Sequence, residues 1–166
     1  MKRPGMYQQH EESLREFVEK FNGVKDGLPL VMQIYHTENF RDDGIIVDTR
    51  SGNRIVFDWE IRDKYFQSGQ FRFPEVGQFE RKLKKGEIGL SLQCDCDRTS
   101  VLAAWHEDWL REKPKKVALK TDYPQAEQAQ VRYTPHFKIY PYSDLKALRA
   151  MLYKALRTGT FNHEVF

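Results

Sequence analysis

Residues 54–64 of the chain, RIVFDWEIRDK, decide the fold. Taken with a two-residue period, this stretch has an apolar face and a face that carries most of its charge. The apolar face holds Ile55, Phe57, Trp59 and Ile61, and the other face holds Arg54, Val56, Asp58, Glu60, Arg62 and Lys64. The alternation predicts a strand with one face packed on a core. Carboxylates and cations lined up on the other face need partners, a metal or water, so this row is the candidate site.

Length and composition predict one domain covering residues 1–166, because 166 residues with 40% hydrophobic side chains suffice for one compact core. The sequence contains no apolar run long enough to cross a bilayer, and its first residues lack the apolar centre of a secretion signal. We therefore expect a cytoplasmic protein without a membrane partner.

Cysteine usage fits a reducing compartment. Cys94 and Cys96 are the two cysteines, and side chains at that spacing on a strand point to opposite faces, which disfavours a disulfide between them. The sequence offers no second CxxC or HxxxH to complete a zinc site, so two ordinary thiols are expected.

Hydrophobic periodicity and turn signals divide the chain into helices and strands. Helices are predicted at 10–21, at 75–85 and after Ser143, strands at 29–35, 45–49, 54–65, 88–94, 100–109 and 131–140, and a loop at 112–130. The strands at 45–49 and 54–65 flank the turn residues 50–53 and are predicted to pair as a hairpin. The order predicts an α+β, sandwich-like fold with a central mixed, largely antiparallel sheet flanked by helices.

The formal net charge of +3 is modest, but the basic residues are grouped. The groups are Arg81, Lys82, Lys84 and Lys85; Arg111, Lys113, Lys115, Lys116 and Lys120; and Lys146, Arg149, Lys154 and Arg157. Solvated surfaces often carry such groups, yet several of them in one short chain favour a polyanionic partner. The candidate nucleic-acid contacts are Arg81, Lys82, Lys84, Lys85, Lys115 and Lys116.

A helix with glutamates, an aspartate opening a strand, and an acidic residue two places before a cation on the next strand resemble the core of the PD-(D/E)xK nuclease superfamily. The matching residues are Asp43 and, after 16 others, the stretch 60–62, EIR, which follows the apolar run 55–57. The chain departs from the family pattern with Asp42 in place of proline and Arg62 in place of lysine. The resemblance implies a restriction-endonuclease-like core and a Mg²⁺-dependent endonuclease or exonuclease acting on DNA, and a homodimer if the enzyme cuts both strands or resolves junctions.

The chemistry behind this pattern needs a hard cation, Mg²⁺ or Mn²⁺, to neutralise the scissile phosphate and prepare a water molecule. The predicted metal ligands are Asp43, Asp58, Glu60 and, from the first helix, Glu12. The predicted catalytic residues are Asp43, Glu60, Arg62 and Lys64. Arg62 can hold phosphate but cannot act as a base, because it does not lose its proton. Lys64, the next residue on that face, is therefore the candidate for the role of the lysine amine in the family motif.

Asp43 and Glu60 are predicted to bind the same metal ion, and this prediction depends on the register of the hairpin. Asp43 lies nine places before Gly52 and Glu60 lies eight places after it, so a regular hairpin brings the two carboxylates almost face to face. A slip of one residue would turn Asp43 to the opposite side of the sheet.

Three alternatives stay open. A second register takes Asp58 as the motif aspartate and residues 80–82, ERK, as the E-x-K element. The charged row can also be a ladder of surface ion pairs without a metal. In the third alternative the protein does not catalyse a reaction and binds nucleic acid or another protein through its basic surface and exposed aromatic residues, with Trp105, Trp109 and Tyr140 as candidates. The triplet His106-Glu107-Asp108 has suitable residue types for a site, but a strand there would split them between two faces.

Overall fold

The structure is a computed structural model, and it describes residues 5–35, 43–84, 87, 89–118 and 128–166. The helices in this part of the chain are α1 (Met6–Asn22), α2 (Glu80–Leu83), α3 (His106–Leu110) and α4 (Leu145–Thr158). The strands are β1 (Leu30–Ile34), β2 (Gly44–Asp48), β3 (Arg54–Ile61), β4 (Phe66–Gln67), β5 (Gln70–Phe71), β6 (Val76–Phe79), β7 (Leu90–Cys94), β8 (Ser100–Trp105), β9 (Lys115–Ala118), β10 (Gln128–Thr134) and β11 (Lys138–Pro141). Among these described helices, none is long and apolar enough to cross a membrane.

The main sheet has six strands in the order β1-β2-β3-β7-β8-β11. Strands β3 and β7 are parallel, and the other neighbours in this sheet are antiparallel. This mixed, largely antiparallel sheet with its helices confirms the predicted α+β class. The restriction-endonuclease-like core stays a prediction.

The predicted hairpin forms, with β2 and β3 paired antiparallel. Its turn is held by Asp48, whose Oδ1 accepts the backbone N–H of Arg50 at 2.9 Å. Gly52 has φ of 79°, a conformation that side chains with a Cβ rarely adopt. The turn residues at 50–53 therefore do what their sequence predicts.

The apolar face of β3 packs under α1. The rings of Phe17 and Trp59 lie 4.9 Å apart between centroids, and the Trp59 indole donates to Ser13 Oγ at 2.9 Å. Helix α4 adds Leu148 and Leu152 to the same core. The two-residue period of β3 thus places its large side chains on the side of the sheet where α1 and α4 lie.

The other face of the sheet is covered by a smaller, three-stranded sheet in the order β6-β10-β9. A second core forms between them from Phe66, Val76, Leu83, Leu102, Ala104 and Trp109. Parallel strands need a crossover connection, and the connection from β3 to β7 carries β6 and α2 to this side. The middle of the charged face, at Asp58 and Glu60, therefore lies between the two sheets, whereas Arg54 and Lys64 at its ends are exposed.

Several predicted elements are wrong in type or extent. The segment 75–85 was predicted as a helix, but β6 pairs with β10 and only Glu80–Leu83 is helical. The strand predicted at 100–109 ends at Trp105, where α3 begins. The strand predicted at 131–140 is divided by Pro135 into β10 and β11, and the loop predicted at 112–130 contains β9.

Burial also corrects two surface predictions. Trp105 and Trp109 are fully buried and Tyr140 is 2% exposed, so none of them is an exposed aromatic contact. Arg149 is also buried, and its Nε donates to Asp26 Oδ2 at 2.8 Å. It therefore does not belong to a basic surface with Lys146, although the sequence grouped them.

Candidate functional site

The carboxylates of β3 lie in a polar layer between the main sheet and the smaller one. The parallel register places Asp58 opposite Ser91 and Glu60 opposite Gln93. Ser91 and Gln93 are fully buried, and Asp58 is 4% exposed. A surface ladder of ion pairs would leave these residues in water, so the burial of this layer argues against that alternative.

Glu60 is surrounded by positive charge. Its Oε1 contacts the Lys82 ammonium, and its Oε2 lies 4.0 Å from Arg62 Nη2. Gln78 Nε2 donates to Oε1 at 3.2 Å. Burial by itself raises the pKa of Glu60, but Lys82 and Arg62 outweigh it and hold this pKa below its ordinary value. Glu60 is therefore ionised at neutral pH.

Asp58 accepts no hydrogen bond from the residues that the structure describes. Its Oδ2 lies 4.0 Å from Lys82 Nζ, and its Oδ1 lies 3.7 Å from His106 Nε2. Among the described residues, no donor forms a hydrogen bond with either oxygen, and His106 Nε2 also has no hydrogen-bond partner. His106 is 3% exposed, so two buried polar groups face each other without satisfying one another.

A hydrogen-bonded frame fixes the rest of the layer. Arg62 Nε donates to Gln93 Oε1 at 2.7 Å, and Arg62 Nη2 donates to the Gly77 carbonyl at 3.0 Å. Gln93 Nε2 donates in turn to Ser91 Oγ at 3.1 Å. Arg62, which follows the last residue of β3, is thereby held at the edge of the layer next to Glu60.

Asp43 does not lie opposite Glu60, and the predicted register is wrong at this end of the hairpin. Gly44 pairs with Phe57, and the Asp43 N–H also donates to the Phe57 carbonyl at 3.1 Å, so two residues face one in a β-bulge. The Asp43 carboxylate accepts the Trp59 N–H at 2.7 Å and lies 3.5 Å from His10 Nε2 on α1. Asp43 therefore faces α1, and a metal or catalytic role for it stays a prediction.

His10 is the partner of Asp43. The hydrogen bond that Asp43 accepts from His10 raises the pKa of His10 above its ordinary value, although burial and the charge of Lys82 act in the opposite direction. His10 Nε2 also lies 3.0 Å from the Trp59 carbonyl. This pair joins the start of α1 to the edge of the sheet.

Two other predicted site residues lie away from the carboxylates of β3. Glu12 is exposed on α1, and its Oε1 accepts a hydrogen bond from Gln8 at 3.1 Å. Lys64 follows the end of β3 in an exposed turn, where its Nζ lies 5.7 Å from the centroid of the Tyr65 ring. Lys82 of α2, rather than Lys64, supplies the ammonium beside Glu60.

Only two of the three residues of the second register lie together. Asp58 and Lys82, its first and last residues, come together across the crossover. Glu80 instead forms an ion pair with Arg132, whose Nη2 donates to Glu80 Oε1 at 2.8 Å. The described contacts thus join Lys82 to Asp58 and Glu60 and direct Glu80 toward β10.

The predicted nucleic-acid contacts lie in several places. Arg81, Lys84, Lys115 and Lys116 are exposed, whereas Lys82 is half-buried at Glu60. The guanidinium of Arg81 lies 5.1 Å from the Phe79 ring centroid. Lys85 lies outside the described residues.

Gln78 is a member of the layer that the sequence did not indicate, and the sequence indicated His106 only as part of the triplet at 106–108. His106 was weighed on a strand, but it begins α3 and turns toward Asp58. Gln78 lies on β6, within a segment predicted as a helix. The residues at 76–79, VGQF, show no alternation of apolar and polar side chains, so periodicity does not identify this strand.

Within the described residues, no group of three His, Cys, Asp or Glu side chains is placed to hold a metal ion. Mg²⁺ commonly takes only one or two protein carboxylates and completes its shell with water and substrate phosphate. Asp58 and Glu60 provide two carboxylates on one face of β3, both near the Lys82 ammonium. The donor types suit Mg²⁺ or Mn²⁺, but the Lys82 ammonium contacts Glu60 Oε1 and would have to leave this oxygen before a cation could bind there.

No protein-family model, curated protein or solved structure matches this chain. The functional interpretation therefore rests on the geometry of the chain's own residues.

Proposed function

We propose that the protein is a Mg²⁺- or Mn²⁺-dependent nuclease that hydrolyses phosphodiester bonds of DNA at Asp58, Glu60 and Lys82. The observation that carries the proposal is Asp58, a buried carboxylate whose two oxygens accept no hydrogen bond from the described residues. A purely structural buried aspartate is normally satisfied by backbone or side-chain donors. A carboxylate left without donors costs stability, and such costs concentrate at functional sites.

Each residue has a task in the hydrolysis. The oxygen of a water molecule bonds to phosphorus, the ester bond to the leaving sugar oxygen breaks, and that oxygen takes a proton from solvent. Asp58 accepts the proton that the water loses. Lys82 donates hydrogen bonds to the non-bridging phosphate oxygens, and Arg62 adds positive charge from its fixed position.

Asp58 and Glu60 are the residues that would hold the divalent cation. When bound, the cation neutralises phosphate charge and lowers the pKa of the attacking water. Glu60 is suited to this role because Lys82 and Arg62 keep it ionised. His106 Nε2 lies 3.7 Å from Asp58 Oδ1, beyond hydrogen-bond distance.

Labelled single-stranded, double-stranded and branched DNA, incubated with the purified protein in Mg²⁺ or Mn²⁺, tests the proposal. We expect cleavage by the wild type and a loss of about 100-fold or more for Asp58→Asn and for Glu60→Gln, since each removes a charge that acts on the phosphate. Glu19→Gln, at an exposed carboxylate of α1, is the matched control and should cleave normally.

Glu80→Gln distinguishes the two registers. If residues 80–82 supply the acidic residue, this variant loses cleavage while Glu60→Gln keeps it. Absence of cleavage by the wild type on every substrate, or equal cleavage by Asp58→Asn, would contradict the proposal.

The proposal extends to location and assembly. Cys94 and Cys96 are free thiols, as a cytoplasmic protein requires. If the protein cuts both strands of a duplex, we expect a homodimer that presents two centres, and sedimentation of the protein with duplex DNA measures it.

A further inference from the structure

A cavity of about 520 Å³ opens beside the polar layer. Its walls include five aromatic side chains, Tyr65, Phe71, Phe73, Phe79 and Tyr133. Glu60, Arg62 and Gln78, which belong to the polar layer, also line it. The volume lies within the range of ligand sites, about 300–1,000 Å³, and the mixture of apolar walls with a few polar groups is typical of them.

Cations lie over the aromatic walls. Lys64 and Arg72 lie 5.7 and 6.0 Å from the centroid of the Tyr65 ring. Arg81 lies 5.1 Å from the Phe79 ring, and Lys115 lies 5.8 Å from the Tyr133 ring. Rings that stack on bases, next to cations that bind phosphates, are the combination used to bind single-stranded nucleic acid.

The exposed hydrophobic residues of the described chain concentrate at this cavity. Large hydrophobic side chains are exposed at Tyr65, Phe73 and Leu110, and the first two line the cavity. Phe73 is 46% exposed, and its ring packs at 5.4 Å against that of Tyr65. The pair forms an apolar surface at the rim of the cavity, which suits a planar ligand.

Acidic residues define where a phosphate can lie. Glu60, Asp63 and Glu75 line the cavity. The positive charges of Lys82 and Arg62 compensate the negative charge of ionised Glu60. Asp63 Oδ1 accepts the backbone N–H of Tyr65 at 3.1 Å. The interior therefore suits an uncharged base, and the cations over the rings suit the backbone.

We propose that this cavity binds unpaired bases of single-stranded DNA, whose phosphates lie along Lys64, Arg72, Arg81 and Lys115. The proposal rests on the proposed function in taking DNA as the ligand, and it names the strand form that reaches the centre at Glu60. Bases in a duplex are stacked on one another and cannot enter an aromatic cavity without being flipped out. The protein should therefore prefer single strands.

Fluorescence anisotropy with labelled oligo(dT), and with the matching oligo(dA)·oligo(dT) duplex, tests the proposal in EDTA, where no metal-dependent cleavage occurs. We expect tighter binding of the single strand, and about tenfold weaker binding by Phe73→Ala and by Tyr65→Ala, because base stacking on these rings is lost. Leu110→Ala removes the exposed residue outside the cavity and should bind as the wild type does. Arg81→Ala should reduce the slope of log affinity against log salt by about one.

The outcomes separate this proposal from the nuclease proposal. Selective single-strand binding that depends on Phe73 and Tyr65, without cleavage in Mg²⁺ or Mn²⁺, supports the cavity and refutes the nuclease. Cleavage that is as fast in Phe73→Ala as in the wild type, with unchanged binding, refutes the cavity and leaves the nuclease intact. Equal or tighter binding of the duplex, or no binding of either probe, also overturns the cavity proposal.

Discussion

Asp58 places a carboxyl group in the interior, at 4% exposure, with His106 Nε2 3.7 Å from Oδ1 and the Lys82 ammonium 4.0 Å from Oδ2. Asp95 provides a natural comparison, since it is also fully buried. Its oxygens accept the backbone N–H groups of Thr99, Ser100 and Gly69 at 2.7, 3.0 and 2.9 Å. One aspartate therefore stabilises a turn, and the other remains available for a ligand.

This contrast predicts opposite effects of the same substitution on stability. Asp58→Asn should raise the free energy of unfolding by about 1–3 kcal/mol in EDTA, because a neutral amide replaces a buried carboxyl group that accepts no hydrogen bond from the described residues. Asp95→Asn should lower it by a similar amount, because it weakens charge-assisted hydrogen bonds. Urea unfolding at neutral pH measures both. Destabilisation of both variants would show that Asp58 is a structural residue.

At the scale of elements, His10 and Asp43 join α1 to the edge of β3, and this link depends on pH. The pKa of His10 is raised from its ordinary value of 6.5. A raised pKa means that the folded state holds the proton more tightly, so the stabilisation is full below about pH 6.5 and is lost as pH rises through the raised value.

We expect His10→Gln to lose stability relative to the wild type mainly on the acid side. The difference in free energy of unfolding should be largest near pH 6 and should shrink as the pH increases toward 8.5. Asp43→Asn removes the partner and should show the same dependence. Chemical unfolding over this pH range checks it, and a difference that grows with increasing pH would show that the histidine is not protonated in the folded state.

The hairpin and the closing helix could be predicted from sequence because local signals specify them. Gly52 allows the turn, and Gly159 ends α4 with φ of 69°. The bulge at Gly44 has no such signal. A Cβ at Gly44 would lie 2.5 Å from the Phe57 ring, a contact that only the folded sheet creates. The register of Asp43 therefore could not be predicted from the sequence.

The strands β6 and β9 were not predicted, and the reason is related. Val76, Phe79 and Leu83 have helical spacing, yet β6 gains its hydrogen bonds from β10, more than 50 residues further along the chain. Strand β9 lies in a charged segment with few apolar residues. Pairing across such distances is a tertiary effect, and it overrides local preference.

At the scale of the whole molecule, the polar layer exists because two sheets meet. The charged row of β3 identified Asp58 and Glu60 from sequence alone. Their neighbours Lys82 and His106 arrive on α2 and α3. The sequence can thus indicate the strand that carries the carboxylates of this layer, whereas the crossover from β3 to β7 brings Lys82 to it and the step from β8 into α3 brings His106.

Arg149 of α4 forms a buried ion pair with Asp26, and the side chain of each residue is 3% exposed. Arg149 also donates to the carbonyls of Phe21 and Leu30 at 3.1 and 3.3 Å. This group of bonds ties the closing helix to the segment between α1 and β1.

Arg149→Met should therefore lower the free energy of unfolding by about 3–5 kcal/mol, because it leaves the Asp26 carboxylate buried without a counter-charge. Arg149→Lys should recover only part of the loss, since an ammonium cannot reproduce the fork that Asp26 and the carbonyls accept. Arg157→Met, at an exposed position of the same helix, should change stability by less than about 0.5 kcal/mol. Urea unfolding measures these effects, and equal effects of Arg149→Met and Arg157→Met would mean that the ion pair does not join α4 to the rest of the fold. A smaller loss of stability in the double variant Asp26→Asn, Arg149→Met than in Arg149→Met alone would confirm that the unpaired carboxylate is the cause.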